Sequence, residues 1–157
     1  MLIALAAGVF AVAGIALAVV DVRTHRLPDA VMLPALLVVA ALLTAEALRT
    51  GEPGRALGVV GGSAAAFAVA LALHLSRPGA FGGGDVKLAA FVGAPLGWYG
   101  PEAVASGLLF AVVLGGVAAT GVLLAGGRRT QIAYGPWLLS GVWLRLVGGP
   151  GEGMPSG

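Results

Sequence analysis

The feature that most constrains this chain is a succession of long uncharged apolar runs, the first from Leu2 to Val20, separated by short clusters of charge. A run of roughly 19 residues covers about 28 Å as an α-helix, the thickness of a bilayer's hydrocarbon core. No water-soluble fold of 157 residues hides that much apolar surface when 59% of its residues are hydrophobic and only 10% charged. Lipid is therefore the expected solvent, and helices that satisfy their own backbone groups are the expected elements. The first run lacks a basic flank and exceeds the core of a secretory signal, so it reads as a transmembrane helix and not as a cleaved leader.

The spacing predicts an all-α polytopic membrane protein of about six helices: Leu2 to Val20, Ala30 to Leu48, Ala56 to Leu75, Val86 to Trp98, Glu102 to Ala125 and Gln131 to Val147. The fourth is short and contains Gly93 and Pro95, which point to a kinked, tilted or partly inserted segment. Residues 1–147 form one membrane-embedded domain, and 148–157, rich in Gly and Pro, read as a flexible tail. Of the nine Lys and Arg, six (Arg23, Arg26, Arg77, Lys87, Arg128, Arg129) fall in the first, third and fifth loops. Arg49, Arg55 and Arg145 fall on the other side, so the odd loops are expected in the cytoplasm and the N-terminus outside. The 27 glycines, many beside Ala and Ser inside helices, read as close helix packing.

Composition also excludes function classes. The basic residues form no stripe, so nucleic acid is not an expected partner. With no cysteine, disulfides, thiol nucleophiles and iron–sulfur centres are ruled out. Two separated histidines, His25 in a charged loop and His74 near a helix end, offer no ligand cluster, and neither metal nor cofactor is expected.

Two segments stand out: Val20-Asp21-Val22-Arg23-Thr24-His25-Arg26-Leu27-Pro28-Asp29 and Phe81-Gly82-Gly83-Gly84-Asp85-Val86-Lys87-Leu88. Each sets an aspartate at a helix edge on the same expected membrane face. A carboxylate in the bilayer costs about 2.5–3.5 kcal/mol at a helix centre and less at the interface, which makes both functional candidates. Taken singly, Asp21 is equally well a solvated residue paired with Arg23 or Arg26, and Asp85 a helix cap. Taken together, two adjacent carboxylates cannot both ionise easily, so one is left as acid and one as base, the requirement for activating water against a peptide bond. Without Cβ atoms, Gly82, Gly83 and Gly84 can adopt positive φ and let an extended substrate backbone lie close beside Asp85. Phosphate binding by this loop is disfavoured, since no Lys-Ser/Thr pair follows and no strand precedes it.

Asp21 with Arg23 and Leu27-Pro28-Asp29, then Gly82-Gly83-Gly84-Asp85-Val86-Lys87-Leu88 with Gly93 and Leu96-Gly97-Trp98, closely resembles the type IV prepilin peptidases and archaeal preflagellin peptidases, the GxGD aspartic proteases. Ile132-Ala133-Tyr134-Gly135-Pro136-Trp137 is similar to their last-helix signature, departing from the commoner Pro and Phe at Ala133 and Tyr134. The resemblance implies that Asp21 and Asp85 are the catalytic pair, that Asp29 has a structural role at the second helix's start, and that Lys87 orients substrate or only snorkels to the interface. It implies prepilin or pseudopilin substrates, cut at the cytoplasmic boundary of the cell membrane between a basic leader and an apolar helix. Larger bacterial members carry paired Cys-x-x-Cys motifs and also methylate the product. A chain without cysteine is expected to be a peptidase-only form.

Two other readings compete with this one. A small proton- or cation-coupled transporter would use the same aspartates, although they sit at one edge and leave the middle of the membrane with no ionisable relay apart from Glu46 and His74 near helix ends. A structural partner of a secretion complex would carry a degenerate site. The sequence fixes neither substrate nor oligomeric state.

Overall fold

In a computed structural model the protein is described at residues 1–24, 29–76 and 83–124, with side chains at 1–20, 30–76, 83–113 and 117. Five α-helices account for nearly all of this, with no strand among the described residues: α1 (Leu2–Thr24), α2 (Asp29–Arg49), α3 (Pro53–Ser76), α4 (Gly83–Trp98) and α5 (Pro101–Leu124). Three of them, over Leu2–Val20, Ala30–Arg49 and Pro53–Ser76, are long and apolar enough to cross a membrane. The chain is thus an all-α membrane protein, as its apolar runs require. The expected sixth helix and the tail lie outside the described residues.

The boundaries follow local chemistry. Gly51, at φ 74°, closes α2: its N–H donates to the Leu48 carbonyl at 3.2 Å and the Glu52 N–H to Ala47 at 2.8 Å, a left-handed glycine cap that reverses the chain in a few residues. Gly100, at φ 106°, separates α4 from α5. Pro53 and Pro101 each open a helix, where the missing N–H costs nothing.

These turns alternate the helix directions. The start of α1, the end of α2, the start of α3 and the end of α4 share one end of the bundle. There the Met1 ammonium lies 3.8 Å from Glu46, and the Arg55 guanidinium stands over the Trp98 ring at 5.0 Å. The opposite end gathers the end of α1, the start of α2, the end of α3 and the start of α4.

The closest interface is that of α3 with α4, and glycine makes it so. A Cβ on Gly62 would stand 2.5 Å from the Gly93 carbonyl oxygen and 2.7 Å from the Gly97 Cα. One on Gly58 or Gly97 would strike the other's carbonyl, and one on Gly93 would strike Gly62 and Ala66. With lipid outside, helices gain little by hiding apolar surface from one another, and such backbone contact supplies the dispersion energy that holds them. The Ser63 hydroxyl adds a hydrogen bond to the Ala90 carbonyl across the same interface, at 2.9 Å.

On its other side α4 meets α1 and α2 through larger side chains. The Phe10 and Phe91 rings stack with centroids 4.7 Å apart, among Leu17, Met32, Val39, Leu88 and Leu96. From Asp85 to Trp98 every residue of α4 except the partly buried Lys87 is buried. A helix apolar all round belongs inside a bundle, and α4 is the central helix here. Its 16 residues run unbroken through Gly93 and Pro95.

Candidate active site

Asp85 and Glu46 are the buried charged residues among those described. They sit at opposite ends of the bundle and in different chemistry. Glu46, 4% exposed, accepts from Arg49 twice, from Nη2 at 2.7 Å and Nε at 3.0 Å. This is a bidentate pair one helical turn apart, and it gives the carboxylate a structural role. Sequence reading placed Glu46 only near a helix end. The Glu-x-x-Arg spacing was the available signal for the pair.

Asp85, 8% exposed, lies in the first turn of α4. Expectation placed the helix start at Val86, behind a glycine loop, but α4 begins at Gly83. The positive φ open to these glycines is not used at Gly83 and Gly84, which are helical; among the described residues the left-handed glycines are Gly51 and Gly100. Gly82 lies outside the described residues. Helix formation reaches back over two glycines because Asp85 then stands third in the helix, where a carboxylate faces unpaired N–H groups and the positive end of the dipole. What the missing side chains provide is space. A Cβ on Gly83 would meet nothing within 4 Å, whereas one on Gly93 or Gly97 would strike α3. Gly83 at the head of α4 thus borders open space, two residues before Asp85, whereas Gly93 and Gly97 farther along close an interface.

Asp21 falls inside α1, which runs to Thr24 rather than ending at Val20. Its side chain and that of Arg23 are outside the description, so the structure gives no distance between the two carboxylates. The backbone gives their placement. From the Phe10–Phe91 stack, α1 climbs about 16 Å to residue 21 and α4 about 9 Å to residue 85, both toward the same end. The buried residues of α1, among them Ala6, Phe10, Ala13 and Leu17, run along the helix toward that end. Lys87, two residues beyond Asp85, is partly buried and engaged in interactions. Asp29 opens α2 at this same end.

In an all-helical membrane protein, a buried aspartate at the start of the central helix marks a candidate functional site. The family model of the type IV leader peptidase family matches residues 8–123, and the chain belongs to that family. The match spans Asp21, Gly82 to Asp85, and α2 to α4, and ends short of the Ile132 to Trp137 segment, which is outside the described residues. Neither the comparison with curated proteins nor that with solved structures gives a match. The chain is accordingly a membrane peptidase of the leader-peptidase kind, and no observation favours the transport reading.

Proposed function

We propose that this protein is an intramembrane aspartic endopeptidase that removes the leader of type IV prepilin-like or pseudopilin substrates at the cytoplasmic boundary of the cell membrane, with Asp21 and Asp85 as its catalytic pair. The observation that carries this reading is a buried Asp85 at the head of the central helix, two residues after a Gly83 that borders open space and at the same end as Asp21. In the assembled pair one carboxylate is ionised and the other protonated. The ionised group takes a proton from water as the water oxygen bonds to the scissile carbonyl carbon, while the protonated group donates to the carbonyl oxygen. Collapse of the tetrahedral gem-diol breaks the C–N bond: the proton held by the base passes to the leaving amine, and one hydroxyl of the diol returns its proton to the other carboxylate, which leaves the new carboxyl terminus and restores the starting pair. Gly82, Gly83 and Gly84 admit the substrate backbone, and Lys87 and Arg23 supply positive charge beside the pair.

The test is processing of a co-expressed prepilin from the same genome by wild type, Asp21→Asn and Asp85→Asn at matched membrane levels. Asn keeps the shape but cannot act as acid or base, so processing is expected to disappear in both variants. Full processing by either variant removes that residue from the mechanism.

A further inference from the structure

The end of α3 carries a polar residue where the packing pattern asks for a small one. Along α3 the positions turned to α4 recur at four-residue steps, Gly58, Gly62, Ala66 and Ala70, and along α4 the answering positions are Gly97, Gly93 and Ala89, a series whose next four-residue step is Asp85. The rows interleave in antiparallel register: Gly62 sits against Gly93 and Gly97, Ala66 against Gly93, and Ala70 in one cluster with Val86 and Ala89. The next step of the α3 row is residue 74, and the level it reaches on α4 is the first turn, which holds Asp85. Residue 74 is a histidine.

Exposure supports the same direction. Leu73 and Leu75 are 40% and 69% exposed, Ala72 and Ser76 are also exposed, and His74 between them is half-buried. A helix end that only met the aqueous interface would turn its imidazole out and its leucines in. Here the leucines are the exposed side chains and the imidazole is the more covered one, the disposition expected of a functional polar group in a membrane protein.

We infer that His74 is a positioning residue for the Asp85 carboxylate, an inference that rests on the peptidase reading. Its imidazole offers a hydrogen-bond donor from α3 to the carboxylate on α4. The glycine interface fixes the two helices relative to one another, so the donor is held at a constant distance from the acid while α1 brings Asp21. Lys87 on α4 and Asp21, Arg23 and Asp29 on α1 and α2 are the other charged residues at this end of the described helices.

Two measurements test this, one of place and one of role. The chain has no cysteine, so a His74→Cys/Asp85→Cys double variant in native membranes is expected to cross-link under mild oxidation, and a Leu73→Cys/Asp85→Cys control is not. Absence of the first cross-link overturns the inference whatever the enzyme does. In cleavage assays, His74→Ala is expected to lose about 10- to 100-fold in kcat with KM unchanged, with part of the loss restored by His74→Gln or by added imidazole. Wild-type kcat in His74→Ala, or a loss that appears in KM alone, overturns the positioning role. Full processing by Asp85→Asn instead strikes the peptidase reading itself, and the cross-link then still reports where His74 lies.

Discussion

At the scale of single residues, the glycines of α4 divide into two kinds that look identical in sequence. Gly93 and Gly97 face the backbone of α3 with no room for a methyl group, whereas Gly83 faces open space. Gly93→Ala is therefore expected to force the α3–α4 pair apart and to cost about 1–3 kcal/mol, the usual range for overpacking. The equivalent change at Gly61, where a Cβ meets nothing within 4 Å, should leave stability at or above wild type. Thermal unfolding in detergent separates the two, and equal midpoints for both variants would contradict the interface described. The Glu46–Arg49 pair gives a second ordering. Removing Arg49 alone leaves the carboxylate with the Met1 ammonium as its ion-pair partner among the described residues, so Arg49→Ala should lower the unfolding midpoint more than Arg49→Ala combined with Glu46→Gln. The reverse order would show that the pair does not hold α2.

At the scale of elements, much was legible. Apolar runs bounded by charge located every described helix, because in lipid a long run has no alternative but to satisfy its backbone internally. Asp21 and Asp85 stood out for the same reason, as charges against an apolar ground. What the sequence did not disclose was rank among the helices. The run from Val86 to Trp98, short and interrupted by glycine and proline, read as marginal, yet it is the helix the others surround. Burial by protein and burial by lipid demand the same apolar composition, so hydropathy cannot tell them apart. The start of α4 was misplaced by three residues because glycine counts against helix formation locally, a weak preference that dipole and capping at Asp85 overcome. His74 read only as a residue near a helix end, because the register that brings it level with the first turn of α4 arises only once α3 and α4 pack together.

At the scale of the whole molecule, the alternating directions of five helices send the two ends of the bundle to opposite membrane faces. In the orientation we propose, from the distribution of Lys and Arg, the end bearing Asp21 and Asp85 faces the cytoplasm. Arg49 and Arg55, which run against that count, are each paired with a neighbouring glutamate, Arg49 with Glu46 at 2.7 Å and Arg55 with Glu52 at 3.0 Å. A single cysteine at Gly51 in the otherwise cysteine-free chain should react with a membrane-impermeant thiol reagent from outside intact cells, and one at Ser76 should be protected until the cells are opened. Reactivity in the opposite pattern would invert the proposed orientation.

The enclosure of α4 bears on how such a protein tolerates different membranes. Helices that touch lipid adjust to bilayer thickness by tilting or by drawing their flanks inward. A helix covered by protein on every side and locked backbone to backbone onto its neighbour answers to the neighbour and not to the lipid. The depth of Asp85 is then referenced to α3, by the two turns of helix between it and Gly93, so that a thinner or thicker bilayer changes the slope of the outer helices while the acid keeps its height.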